Sequence, residues 1–239
     1  MLIAIGDIPV TLLCPRAALI QRSLMVADLH LGKSETLRSL GAPVPAGDAD
    51  EQLLRLSTLI TDTRADRLVV LGDCLHAGIG LTDRLVETVR QWRRRLAIEC
   101  WLVRGNHDRA IDQVAEAWDI RLAEPGVVFH NLEAVHDPRD ASGTRAWIAG
   151  HIHPAVRIGG MANAIKLPCF QVVEGKGLVL PAFSLFTGGR CVRPKPSDRV
   201  IAIAGDRLIE IGNRRKPDVS APVSLGDAEE PEEARQAET

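Results

Sequence analysis

The sequence predicts an α/β fold with α+β character, on three observations. As far as Trp118, short apolar runs alternate with amphipathic segments of helical spacing, the sequence form of parallel strand crossovers. After Pro125 the helical spacing gives way to short strand-like pieces separated by Gly, Pro, Asn and Asp, which reads as a second, largely antiparallel sheet. Three early apolar runs also stop abruptly at Asp, His or Asn, as buried strands do when they deliver polar groups to the rim of a sheet.

Residues 3–13 read as one or two short strands interrupted at Gly6-Asp7 and Pro9, and residues 15–22 as a loop or single turn. Residues 24–27 form a buried strand that runs into Asp28-Leu29-His30. Residues 41–47 are a loop by their Gly and Pro content. Asp48, with Glu51 three residues on, resembles a capping box that opens a helix through Leu53, Leu56, Leu59 and Ile60. The strand at 68–71 ends on Gly72-Asp73. Thr82 is placed to cap a second helix, with Leu85, Val89, Trp92 and Leu96 on one face. Its other face holds Arg90, Arg93, Arg94 and Arg95 and reads as solvated. The strand at 100–103 leads into Arg104 and Gly105-Asn106-His107-Asp108, and 109–118 reads as a helix. Strand-like pieces then fall at 126–130, 132–135, 145–149, 164–167, 170–173 and 177–180, before a hairpin of 200–204 and 208–211. The expectation is one domain over residues 1–213 and a disordered acidic tail over 214–239, which is rich in Pro, Glu and Ala.

With 239 residues, 46% hydrophobic and 25% charged, the chain has material for a packed core. Tyr is absent, so that core rests on Leu, Ile, Val and Ala. A net charge of −2 argues against a strongly basic nucleic-acid footprint over the whole chain but leaves room for a local patch. Five cysteines form no C-x-x-C pair, which points to reduced thiols rather than disulfides or a thiolate zinc site. No stretch approaches the roughly 20 apolar residues of a membrane span, and a soluble, cytoplasmic protein is expected.

All seven histidines lie between positions 30 and 153, and five follow expected strand ends: His30, His107, His136, His151 and His153. Asp28 and His30 are two apart and can aim the same way from extended chain; His151 and His153 repeat that spacing. With Asp73, Asn106 and His136 the set is hard oxygen donors plus imidazoles, which favours Mn²⁺, Fe or Zn over a soft metal. Seven groups are too many for one ion. They suit about two ions, roughly 4 Å apart and sharing a carboxylate. Asp73, central in chain order, is the natural bridge.

The ordered combination Asp28-x-His30, Gly72-Asp73, Gly105-Asn106-His107-Asp108, His136 and Gly150-His151-x-His153 resembles the calcineurin-like metallophosphoesterases. The resemblance implies two facing mixed β-sheets flanked by helices, a four-layer sandwich. It implies that Asp28, His30, Asp73 and His153 hold one metal and that Asp73, Asn106, His136 and His151 hold the other. The stretches 26–33, 71–76 and 149–154 are similar to one bacterial branch, the ligase-associated DNA damage response endonucleases called PdeM. Cys74-Leu75 stands where other members often carry an aromatic residue. That branch implies DNA as substrate and a functional association with a DNA ligase, a helicase and a nuclease.

A site of this kind hydrolyses phosphoesters: two divalent cations acidify a water between them and neutralise phosphate oxygens, and in-line attack expels an alkoxide. His107 is the candidate to protonate the leaving group. Asp108 is expected to orient that imidazole, to cap the following helix, or both. His76 fits a contact to a metal ligand, a substrate contact or a loop histidine. Lys33 and Arg104 lie close enough in sequence to the ligands to meet phosphate, although for Arg104 surface charge is the favoured reading. His130 reads as structural. Three functions remain: a two-metal phosphodiesterase on nucleic acid, cutting internally or processing ends; a small-molecule phosphoesterase; and a non-catalytic scaffold. The full donor set counts against the scaffold, because so many inward polar groups are costly to bury without metal.

Overall fold

The computed structural model describes residues 1–159 and 163–212. β1 (Leu2–Ile5) and β2 (Ile8–Leu13) form a hairpin turned at Gly6, whose φ is 56°. Pro9 does not break β2. It lies beyond Thr11–Leu13, the residues that pair with the next strand, where a missing N–H is tolerated. That next strand, β3 (Ala17–Ile20), occupies what reads in the sequence as a loop. Arg16 and Gln21 take left-handed φ of 67° and 53° at its two ends, and the tight turns leave room for a four-residue strand.

β4 (Ser23–Val26) leads to α1 (Lys33–Ser39), a helix too short to leave a periodic signal. α2 (Asp48–Thr63), β5 (Arg67–Leu71), α3 (Asp83–Arg94), β6 (Glu99–Val103) and β7 (Arg121–Ala123) follow. The first sheet has the order β1-β2-β3-β4-β5-β6-β7, and β4 to β7 are parallel. The capping box at Asp48 does not form: Gly47 at φ 103° is the N-cap, and Asp48 Oδ1 accepts the Ser34 hydroxyl instead. Thr82 does cap α3, its hydroxyl accepting from Leu85 N at 3.3 Å. The arginine face of α3 is only partly solvated. Arg93 is buried and donates to the carbonyls of Leu96, Ile98 and Asp119, which gives buried backbone acceptors a partner. Residues 109–118 form a 3₁₀ turn over Asp108–Gln113 and further turns rather than one helix, with Trp118 fully buried.

The second sheet contains β8 (Val127–Phe129), β9 (Leu132–Ala134), β10 (Trp147–Ala149), β11 (Pro154–Ile158), β12 (Ile165–Val173), β13 (Gly177–Val179), β14 (Arg190–Cys191), β15 (Arg199–Ala204) and β16 (Arg207–Ile211). It is mixed: β10 is parallel to β9 and β13, β11 is parallel to β14, and the remaining pairs are antiparallel. The pieces expected at 164–167 and 170–173 are one strand, running through Pro168. The tail expected over 214–239 lies outside the described residues.

Alternation along the first sheet builds two cores. Leu24, Val26, Leu68, Val70 and Leu102 pack with Leu53, Leu56, Leu85 and Val89 of the helices. Met25, Val69, Leu71 and Val103 pack with Leu132, Ile148, Phe170 and Leu178 of the facing sheet. Burial on both faces is why these strands read as unbroken apolar runs. All five cysteines are free thiols.

Candidate metal centre

β4, β5 and β6 are parallel neighbours in one sheet, and β9 and β10 in the other. Their C-terminal ends carry the polar residues to one rim, where the loops bond to one another. Asp28 N donates to Gly72 O at 3.2 Å, His30 N to Asp73 O at 2.9 Å, and Gly150 N to His136 O at 3.1 Å. Glycine permits the close approach. A Cβ on Gly72 would land on the His136 ring, and one on Gly150 would sit 2.8 Å from Asp28 Oδ2. Asp28, His30, Asp73, His151 and His153 all adopt left-handed φ, between 47° and 67°, where non-glycine residues are strained.

Asp28, His30 and His153 form one donor cluster and Asp73, His136 and His151 another, each able to hold a metal ion. In the first, His30 Nε2 faces His153 Nε2 at 3.4 Å, and His153 Nε2 faces Asp28 Oδ1 at 3.4 Å. In the second, His136 Nε2 lies 3.0 Å from Asn106 Oδ1, 3.0 Å from His151 Nδ1 and 3.4 Å from Asp73 Oδ1. Asp73 addresses both clusters: while Oδ1 faces His136, Oδ2 lies 4.0 Å from His30 Nε2.

The partners set the tautomer of neutral His136 and favour one for His151. His136 Nδ1 donates to the Leu71 carbonyl at 3.0 Å, and His151 Nε2 faces Asp137 Oδ2 at 3.3 Å. His136 Nε2 and His151 Nδ1 are then both acceptors, pointing at each other beside the Asn106 and Asp73 oxygens. With the His151 proton on Nε2 beside Asp137, four acceptors meet at one point and call for a cation, either a metal or a proton. The donor set therefore fits a hard or borderline divalent ion.

Without metal the proton goes to His136. Burial works against its charge, but the Asp73 bond and charge, the Leu71 carbonyl and the Asp28 charge raise it to about 9. Burial would raise Asp73, yet the His136 bond and charge, the His107 amide and the His30 charge hold its carboxyl below the usual range. His30 is pushed down to about 3 by burial, and the charges of His153, His107 and His76 add to that against Asp73. A neutral His30 keeps a lone pair for a metal.

The family model described as calcineurin-like phosphoesterase matches residues 22–140. The crystal structure of Pseudomonas putida nuclease MPE is similar at a TM-score of 0.76 and 29% identity, over 88% of this chain and 99% of that one. The chain belongs to the calcineurin-like metallophosphoesterase superfamily. The E. coli phosphoesterase Yfce is similar at a TM-score of 0.41 and 15% identity, over 80% of this chain and 98% of that one. No curated protein matches. Family and donor clusters together make the protein a metal-dependent phosphoesterase.

The remaining candidate residues of this phosphoesterase fall in different places. His107 is exposed beside the clusters, its ring 5.4 Å from that of His30 and stacked on His76 at 5.6 Å. Its amide donates to Asp73 Oδ1 at 2.9 Å. Its Nδ1 donates to the His76 carbonyl at 2.8 Å, which leaves Nε2 free. So His76, through its backbone, holds the imidazole that Asp108 was expected to orient. The Asp108 carboxylate instead accepts from Leu75 N and Gly105 N, at 2.9 Å each, and ties together the loops after β5 and β6. Nor does it cap the following turn, where His107 is the N-cap residue without a side-chain bond. Arg104 is taken up by Asp112, through two bonds of 3.0 and 2.6 Å, and by Glu124 at 3.2 Å, so it is an ion-paired surface group. Lys33 is half-buried at the start of α1, and burial lowers its ammonium pKa. His130 bonds Ser23 Oγ at 2.8 Å, a structural role. Asp137, which faces His151, is the residue the sequence hides: adjacency to His136 says nothing of proximity to a histidine in the loop after β10.

Proposed function

We propose that this phosphoesterase is a two-metal nuclease that hydrolyses phosphodiester bonds in nucleic acid, DNA foremost. The observation that carries the reading is the pair of donor clusters joined through Asp73. The nuclease among its structural neighbours supports the substrate. Asp28, His30, Asp73 and His153 would hold one metal, and Asp73, Asn106, His136 and His151 the other, with Mn²⁺ as the working ion. Such a pair of bound ions supplies an acidified water and offsets phosphate charge.

The protein's own residues do the rest. Asp137 and the Leu71 carbonyl hold the rings of His151 and His136 in the tautomers that present Nδ1 and Nε2 inward. The His76 carbonyl holds His107 so that Nε2 faces outward from its other edge. In its protonated form that nitrogen can donate to the oxygen that leaves phosphorus. Lys33, whose charge acts on His76, would balance charge on a phosphate. The likeness to the ligase-associated branch supports a cytoplasmic role in DNA repair, beside a ligase, a helicase and a nuclease.

A Mn²⁺-dependent assay of the purified protein tests the reading. It compares single-stranded DNA, RNA, 3′-phosphorylated DNA ends and an aryl phosphodiester side by side. Internal cleavage of DNA is expected. Turnover of the aryl ester with no cleavage of any nucleic acid would refute the nuclease and leave the phosphoesterase.

A further inference from the structure

A cavity of about 210 Å³ opens beside His153, lined also by Arg16, Lys166 and Thr187 over a floor of prolines and Ala155. His153 also belongs to a donor cluster, so the cavity adjoins the metal centre. No carboxylate lines it. Arg16 donates to the carbonyls of Ala182 and Ser184, at 3.2 and 2.8 Å, so it adds charge there while fixed in the wall.

The adjoining hairpin points the same way. Lys166 of β12 stands directly opposite Arg157 of β11. Like charges opposed across an antiparallel pair repel. Both are exposed, and neither has an ion pair or hydrogen bond among the described residues. Ala155 and Arg157 are two apart on β11, and Pro168 and Lys166 two apart on β12, so both cations share the face that floors the cavity. An anion laid on that face would relieve the repulsion. Of the four Phe and four Trp, Phe186 alone is exposed, at 41%, and it directly precedes Thr187 of the cavity wall.

We infer that this cavity and hairpin face form a subsite for the nucleotide flanking the scissile phosphate, where Arg157 and Lys166 meet its phosphate and Phe186 offers a ring for its base. The inference rests on the nuclease reading and deepens it. The cavity is smaller than the about 300–1,000 Å³ of a site for a drug-sized ligand, which suits one phosphate and sugar with the base outside. Positive charge along the backbone with an aromatic platform for a base is the general chemistry of strand binding.

The test measures kcat/KM for the full chain with Mn²⁺ on three substrates: a bis-aryl phosphate, a thymidylyl dinucleotide and a longer oligothymidylate. The proteins are the wild type, Arg157→Glu combined with Lys166→Glu, and Phe186→Ala, each checked for an unchanged thermal melt. The wild type should prefer the longer oligonucleotide to the dinucleotide. Each variant should lower the ratio of oligonucleotide to aryl-ester efficiency by roughly tenfold. The charge variant should also flatten the log–log salt dependence of oligonucleotide KM by about 1.4, for two phosphate contacts at about 0.7 each. Ratios retained in both variants overturn the subsite. So does a wild type that cleaves DNA with no gain from added length, although the nuclease then stands. A wild type that hydrolyses the aryl ester but no nucleic acid removes the nuclease and the subsite together.

Discussion

Asp108→Asn separates two jobs that a carboxylate beside His107 could hold. Asp108 is 2% exposed and accepts two backbone N–H groups, from Leu75 and Gly105. Burial, with the Asp73 charge adding to it, raises its carboxyl from 3.8 to about 6 against the pull of those two bonds. That rise of roughly two units costs the ionised form about 3 kcal/mol at neutral pH. Asparagine removes this penalty, but its amide oxygen can accept only one of the two N–H groups. Leaving the other without a partner costs about 1–3 kcal/mol. The two effects nearly cancel, so at pH 8 the variant should match the wild type within about 2 kcal/mol.

The pH dependence is sharper than the mean. The folded protein binds the Asp108 proton more tightly than the unfolded chain does. Its contribution to stability is therefore complete below 3.8 and is lost as the pH rises through about 6. Asparagine has no such term. Urea unfolding of the metal-free proteins at pH 8 and pH 5 should show the wild type gaining about 1.4 kcal/mol on the variant, one pH unit's worth below 6. Histidine titrations common to both proteins drop out of the difference. kcat should stay within a few-fold, because the His107 ring is held by the His76 carbonyl. A stability difference that ignores pH, together with a kcat reduced by orders of magnitude, would refute the strap and return Asp108 to the imidazole.

Three further outcomes follow from the metal centre. Asp73→Ala should abolish metal loading at both clusters, since Asp73 offers an oxygen to each; full metal content by elemental analysis would end the bridging role. His107→Ala should keep both metals and lose about two to four orders of magnitude in kcat, the usual worth of a general acid, and an unimpaired rate would remove it from the chemistry. The metal-free protein carries a proton on His136 below about 9, so metal binding near neutral pH must expel it. Calorimetry in buffers of different ionisation enthalpy should register this release, and heats independent of buffer would contradict it.

How much was legible depended on what each residue answers to. Asp28, Asp73, Asn106, His136, His151 and His153 could be picked out because they end strands buried on both faces, and an unbroken apolar run that stops at a polar residue is a local signal. β3, β14 and α1 span four, two and seven residues, too few for any period to register. The capping box failed because Gly47 in a left-handed turn starts α2 without a side chain and Ser34 takes the Asp48 oxygen. Adjacency misled at Asp108, which accepts from Leu75 N across the loops as well as from Gly105 N in its own loop, while Arg104 is the ion-paired surface charge that the sequence favoured. The same limit hid Asp137, since only the fold brings it to His151.

Strained backbone is concentrated at the metal centre. Twelve described non-glycine residues have left-handed φ, and five of them are expected metal donors. Each such residue costs on the order of 1–3 kcal/mol, a cost that Asp119 and His130 also bear in turns away from the metal centre. Glycine could occupy these turns without strain but would bring no donor. At the five donor positions the strained turns lie at the clustered loops, and their cost is offset by the two apolar cores that hold the sheets together and by the bonds from Asp28 N to Gly72 O and His30 N to Asp73 O. Asp73 concentrates the effect: it is strained at φ 49°, holds the His107 amide on one oxygen and faces a cluster with each. A carboxylate so constrained cannot relax toward either cluster alone, which keeps the spacing between the two fixed before any ion arrives.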